Sequence, residues 1–282
     1  MYLYVETSFE SGNSISDLDN WKVPVAYLFE HEHPILPYWG NRPTQIIDDN
    51  TVKFKQPYSG KKSFEDGIFQ DALQIFSHSS DLSSEDKWIA EFWSDDVRGL
   101  TFSPVGRWFS IANQIIRKEN TEIKDVISIY FKLGLSLYDS GIVCWKAKYH
   151  YNLQRPSAFI QHHFSKQWQP FHDDPSFPAY PSGHAVFGAV AVQILEHFYG
   201  KYYAFTDRSH LGRIEFLGKE RSFSNLADMA KENAYSRIVL GVHFNEDCFE
   251  GLRIGKIIGN KFIETSDGKL LEKHKVFLPK EF

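Results

Sequence analysis

Sulfur is scarce in this chain: two cysteines and two methionines among 282 residues. Cys144 and Cys248 stand far apart, which excludes a disulfide framework and reads as two buried free thiols. Long basic runs are missing, and the net charge is −5 with a pI of about 6.2. Nucleic acid is therefore not an expected partner. No uninterrupted apolar run reaches the ~18 residues of a membrane span, so no membrane is expected as a partner. The opening "MYLYVETSFESGNSIS" has no basic start followed by an apolar core, so no signal peptide is visible. Strand-like alternation is sparse, and no internal repeat is obvious. What the chain does have is apolar and aromatic mass. Hydrophobic residues make up 42% and aromatics 16%, enough for a substantial core in one large domain or two small ones.

Residues 1–62 read as an irregular arm, since "HPILPYWGNRPTQ" alone carries three prolines. Residues 63–282 read as a helical-bundle catalytic domain. Apolar residues recur helically at Phe64, Ile68, Ala72 and Ile75. Ser83 and Asp86 have capping-box spacing, and Pro104 suits a helix start. "TEIKDVISIYFKLGLSLYDSGIVCWKAKYHY" is a long helical pattern ending before Arg155-Pro156. Further helices are expected at 182–199, stopped by Gly200, in "NLADMAKENAYSRIVL" and in "EDCFEGLRIGKIIGNKFIE". A mixed polar loop spans about 200–223. The fold class is all-α, a helical bundle.

Three short stretches collect an unusual set of polar groups. In "KYHYNLQRP", Lys148 and Arg155 are seven apart, nearly two helical turns. Pro156 disfavours helix at Arg155, so the arginine projects just past the helix end. In "PSGH", Pro181 and Ser182 suit a helix start. Gly183 weakens a helix by roughly 0.5–1 kcal/mol relative to alanine, so a bare backbone there should have a use. His184 falls in the first turn, beside free amides that form an anion site. In "SRIVLGVHFNED", a straight helix would point Arg237 and His243 apart, and Gly241 offers the break that reconciles them. His243 and Asp247 are four apart, so the carboxylate can hold the imidazole. Three cations, a hydroxyl, an amide and two histidines fit a phosphate-like trianion. One histidine serves as nucleophile or ligand and the other as general acid or base.

K-x6-R-P, P-S-G-H and S-R-x5-H-x3-D occur here in that order, at Lys148/Arg155/Pro156, Pro181 to His184, and Ser236/Arg237/His243/Asp247. This set resembles the superfamily that joins vanadium-dependent haloperoxidases to type 2 phosphatidic-acid phosphatases, over about residues 83–262. The resemblance implies a helical bundle, with His243 bonding the vanadium of vanadate, or phosphorus, and Asp247 orienting it. It implies oxyanion contacts from Lys148, Arg155, Ser182, Gly183 and Arg237, with His184 as acid–base group. Phosphate is expected to occupy the same site. The cofactor implied is vanadate. The substrates implied are hydrogen peroxide, a halide and a small organic acceptor.

"GIVCWKAKYHYNLQRP" and "ENAYSRIVLGVHF" are similar to the haloperoxidase branch. Trp145 and Phe177 are expected in the halide pocket, Phe177 standing where chloride-oxidising members have Phe and algal bromide-oxidising members have His. The alternative within the superfamily is a soluble acid phosphatase working through a phospho-histidine. Outside it, a serine hydrolase would need the absent G-x-S-x-G elbow. A zinc enzyme built on "HEH" at 31–33 or "HH" at 162–163 has no H-E-x-x-H or Cys-pair spacing behind it. A non-catalytic oxyanion-binding protein stays open, as does a homo-oligomer. The segment "PYWGNRP" falls at 37–43, whereas family members usually have several helices ahead of it. The chain is a short form or lacks its natural N-terminus, and in the latter case is expected to be secreted or periplasmic.

Overall fold

In the computed structural model, residues 21–48, 51–95, 97 and 99–273 are described. The opening sixteen residues discussed above lie outside that set. The described part of the arm carries two short 3-10 turns, Val25–Tyr27 and Trp39–Asn41. Helices then dominate: α1 Phe64–Ser79, α2 Ser84–Phe92, α3 Pro104–Glu119, α4 Ile123–Tyr151, α5 Pro156–His163, α6 Gly183–Tyr199, α7 Leu226–Val239, α8 Asn245–Glu264 and α9 Asp267–Lys273. The expected all-α class holds.

Local sequence explains most of these boundaries. The capping box at Ser83 and Asp86 is present. Ser63, Ser103 and Asn225 each accept an amide of the first turn of the helix they precede. Asn152 ends α4 in the left-handed region at φ 51°, a conformation that asparagine tolerates. Pro181 lies just ahead of the N-cap of α6 rather than in its first turn, because Ser182 is the N-cap and Gly183 the first helical residue.

Three features were not anticipated: α5, a hairpin, and α9, which lies beyond the last expected helix. Residues 156–163 coil into α5 directly after the Arg155-Pro156 break. Inside the expected polar loop, β1 (Phe205–Asp207) pairs antiparallel with β2 (Arg221–Phe223). Three-residue strands are too short to show alternation.

Buried on every side from Gly183 to Val192, α6 lies at the centre of the bundle and packs against α8, α4, α7 and α3. Among the described residues, α4 is the helix long and apolar enough to cross a membrane. The difference from the sequence reading is one of average composition against an uninterrupted run. Of that apolar stretch, 56% is buried here within the protein. The arm is sewn into the same core. Ile47 and Val52 join the main apolar cluster, while Val23 and Tyr58 join a second one with α1, α5 and Tyr180. Asp139, fully buried in α4, accepts the amides of Gln45, Ile46 and Ile47 at 2.6, 2.8 and 3.1 Å.

Candidate active site

The three polar stretches of the sequence meet where α6 and α8 begin and α4 ends. Asn152 turns the chain out of α4. Residues 27–29 and 152–154 then pair as a short bridge, with Phe29 N donating to Asn152 O and Gln154 N to Tyr27 O. Arg155 follows in extended backbone (φ −79°, ψ 157°), the conformation that Pro156 imposes on its predecessor. On the other flank Ala179 N donates to Leu153 O. This draws the segment before α6 alongside Arg155. The start of α6 is tied to α8 by Ser182 N, which donates to Asp247 O at 2.9 Å.

Gly241 performs the break expected of it. At φ +75° it turns the chain after α7 in a conformation that L side chains rarely adopt. Val242 N then donates back to Arg237 O, and His243 comes round toward Arg155. Arg155 Nη1 and His243 Nε2 are 3.1 Å apart. His243 Nδ1 meets Asp247 Oδ2 at 2.9 Å, and the same carboxylate oxygen accepts the Phe244 amide at 2.9 Å. Asp247 thus holds the imidazole by Nδ1, and Nε2 is the ring nitrogen that faces Arg155.

All the sequence-predicted polar side chains here are buried, and three of them are cations. Lys148 is fully buried, with Arg155 and Arg237 nearly so. Two of the three Lys148 N–H bonds go to the carbonyls of Pro178 and Ala179, at 2.8 and 2.9 Å. The Arg155 guanidinium forks onto Phe177 O at 3.1 and 2.8 Å and reaches Val242 O at 2.7 Å. Arg237 donates to Ser236 Oγ at 3.0 Å and to Trp93 O. Carbonyls therefore aim all three cations. The predicted aromatic pair lies against two of them. Trp145 and Phe177 have ring centroids 4.9 Å apart, and the Phe177 centroid is 5.0 Å from Lys148 Nζ and 5.0 Å from Arg155 Cζ.

Burial, first, holds the His243 imidazole well below the ordinary histidine pKa; Arg155, Lys148, His184 and Arg237 push the same way. His243 is accordingly neutral, with a lone pair available. Burial likewise pulls Lys148 down and pushes Asp247 up. The two thiols flank this site and are both buried and free, as expected. Burial raises Cys144 to about 11, so it stays protonated.

The donor set fits an oxyanion such as vanadate. Three buried cations cluster here, with Asp247 among them and Asp174 within electrostatic reach of Arg155, and such a concentration of buried positive charge suits a bound anion. Gly183 adds an independent sign. Its backbone is not in the positive-φ region, and a Cβ built there would meet Phe187 and Trp145 only at 3.7 and 3.8 Å, ordinary contact distances. Neither the backbone nor protein packing demands glycine, which leaves room for a group at the helix start as the reason for it. His184 follows in the first turn of α6, within electrostatic reach of His243. Among the described residues, no three His, Cys, Asp or Glu side chains converge as a metal cage.

Sequence reasoning missed Asp71, Tyr58 and Trp39. Trp39 packs edge-on to Trp145 at 5.0 Å and lies on Gly141 of α4, where a Cβ would meet its ring at 2.5 Å. The only sequence signal for it was the aromatic "PYWGN" stretch itself.

Fold and site together define a helical-bundle protein with a buried cationic cradle organised around one histidine. The family described as "VCPO second helical-bundle domain" matches residues 128–167 and 165–269, about half of the chain, and this chain belongs to that vanadium haloperoxidase family. A curated relative, the vanadium chloroperoxidase of Curvularia inaequalis, is 24% identical over a match covering 56% of this chain and 35% of that protein. A bacterial vanadium-dependent iodoperoxidase structure superposes with a TM-score of 0.70 at 25% identity, covering 82% of this chain and 57% of its own. A holo-type bacterial vanadium-dependent chloroperoxidase gives 0.69 at 18% identity, covering 86% and 56%; that likeness is one of fold. The chain spans about a third of the curated relative's length and little more than half of the solved chains.

Proposed function

We propose that the protein is a vanadate-dependent haloperoxidase, oxidising halide with hydrogen peroxide to hypohalous acid that reacts with a small organic acceptor. The observation that carries this reading is the neutral, Asp247-held His243 facing Arg155 inside a buried cation cluster. When bound, vanadate supplies the electrophilic centre at which peroxide is activated. The residues of the chain do the rest. His243 offers Nε2 to the central atom, and Asp247 keeps the proton on Nδ1. Lys148, Arg155 and Arg237 would neutralise the anion's oxygens, and Ser182 and the Gly183 amide would complete the cradle. His184, at the start of α6, moves the proton to and from peroxide. Trp145 and Phe177 wall the halide's side.

Phosphate-ester hydrolysis is the competing chemistry for the same groups, with His243 as nucleophile. The test runs both on one preparation. Protein loaded with vanadate is assayed for bromide and iodide oxidation with peroxide, and vanadate-free protein for phosphomonoester hydrolysis. We expect halide oxidation, abolished together with vanadate retention by His243→Ala in a protein that keeps its helical signal. Ester hydrolysis without halide oxidation would overturn the reading, and so would tight vanadate binding by the variant.

A further inference from the structure

A carboxylate outside the three site stretches stands directly behind them. Asp71 lies on α1, on the same apolar face as Ile68, Ala72 and Ile75, and is only 6% exposed. A buried carboxylate needs a full set of donors. Asp71 finds its set at the beginning of α8. Oδ1 accepts the Asn245 amide at 3.0 Å and Asn245 Nδ2 at 2.6 Å. Oδ2 accepts the Glu246 amide at 3.1 Å and the Tyr58 hydroxyl at 3.2 Å. All four partners are donors, which matches the ionised form.

The first amides of a helix have no partner within it. In α8 these amides are divided between two carboxylates. Asp247, from the helix itself, takes the amide of Phe244, while Asp71, from α1, takes those of Asn245 and Glu246. His243 and Asp247 flank this short stretch. The loop ahead of α1 reinforces the same junction, because Tyr58 N donates to Glu246 Oε1 and Lys55 N to Glu250 Oε1, each at 3.1 Å. The place where α8 begins sets where Asp247 stands, and Asp247 sets the direction of the His243 ring.

We propose that Asp71 is a positioning residue for the His243–Asp247 pair, fixing the start of α8 so that His243 is presented to a bound oxyanion. This rests on the assignment of His243 under the proposed function. Asp71 lies outside the residues matched by the family; the helix bearing the histidine is held in place by a segment of the chain that precedes the matched region.

The experiment uses the full chain with Asp71→Asn. Asparagine keeps the shape and one acceptor oxygen, but turns an NH2 toward donors. Three quantities are read on vanadate-free protein: the melting temperature, the dissociation constant for inorganic phosphate by calorimetry, and the low-field proton NMR signal of the His243 Nδ1–H. Ile68→Val, which trims the core of the same helix and removes none of Asp71's hydrogen-bond partners, is the control for lost stability alone. Groups that orient a ligand to a metal or oxyanion centre typically contribute 10–100-fold to affinity. Asp71→Asn should therefore weaken phosphate by about that range and broaden or abolish the His243 signal. Ile68→Val should lower the melting temperature and leave both other readouts at wild type. A wild-type signal and affinity in Asp71→Asn overturns the proposal, as does an equal loss in Ile68→Val. Should Asp71→Asn not fold, Asn245→Ala and Tyr58→Phe each remove one of Asp71's partners; both should move the readouts in the same direction, and wild-type values in both overturn the proposal. Phosphate binding unaltered by His243→Ala would instead sink the oxyanion reading, and the NMR signal would then judge Asp71 by itself.

Discussion

Gly183 shows what a single residue reveals about the site. In the first turn of a helix, alanine is worth roughly 0.5–1 kcal/mol more than glycine, and nothing in the protein forbids it here, since a Cβ would sit 3.7 Å from Phe187 and 3.8 Å from Trp145. Gly183→Ala should therefore leave the melting temperature unchanged or raise it. The added methyl would stand at the helix start, where the oxyanion is proposed to lie. Crowding a well-fitted site typically costs about 1–3 kcal/mol, so phosphate and vanadate affinity should fall roughly tenfold or more. Thermal melts and phosphate calorimetry on the same sample check both halves. A variant that gains stability and keeps its affinity would show that the glycine serves nothing bound there. Stability and binding part company only at a residue whose environment is incomplete without a ligand.

At the scale of elements, the contact between α6 and α8 decides whether the three stretches meet. Gly251, Gly255 and Gly259 recur every four residues along α8 and face α6. A Cβ on Gly251 would lie 2.7 Å from Ser182 O and 2.8 Å from Ala185 Cβ, so the helices touch backbone to side chain at the level of the site. Gly251→Ala should force them apart, destabilising the protein by about 1–3 kcal/mol and weakening phosphate by lengthening the Ser182–Asp247 bridge. Gly268→Ala in α9, with nothing within 4 Å of its Cβ, should leave phosphate binding alone and leave stability unchanged or slightly raised. Equal behaviour of the two variants would contradict the close-packing account. Most of these elements were legible in advance, because their ends carry local chemistry: the Ser83 box, Pro104, Gly200 after α6, and Pro156 after the extended Arg155. The motif spacings likewise foretold the meeting of His243 with Asp247, and Gly241 the turn after Arg237. The hairpin at 205–207 and 221–223 and the short α5 were not legible, because neither is long enough to establish a period. Asp71 was invisible for another reason. Two of its partners are backbone amides 174 and 175 residues away, which leave no mark on a sequence, and the side chains that join them, Tyr58 and Asn245, stand in no recognisable spacing to it.

At the scale of the molecule, the question is whether the described arm is an appendage or part of the site's frame. The sequence, irregular and proline-rich up to about residue 62, reads as an arm wrapped on the bundle and says nothing of which groups it holds. The contacts argue for the frame. Asp139 is fully buried in α4, and its carboxylate accepts three amides, all from residues 45–47. Tyr180, just ahead of the Pro-Ser-Gly-His stretch, donates its hydroxyl to Lys55 O at 2.7 Å. Trp145 Nε1 and Tyr149 both donate to Ile35 O, at 3.4 and 2.6 Å. A chain beginning at residue 63 would strip Asp139 of these three donors, and each donor lost to a buried carboxylate costs about 1–3 kcal/mol or more. It would also bare the apolar surface that Val23, Ile47, Val52 and Tyr58 now cover. Total stabilities of only about 5–15 kcal/mol leave little margin for both losses. The shortened protein should aggregate, or retain helix by circular dichroism while losing its cooperative melt and its phosphate binding. Asp139→Asn in the full chain provides a gentler version, expected to lower the melting temperature and to quicken proteolysis within residues 35–62 while the helices stay folded. A shortened chain that melts cooperatively at the full-length temperature and binds phosphate equally well would show that the arm only decorates the bundle.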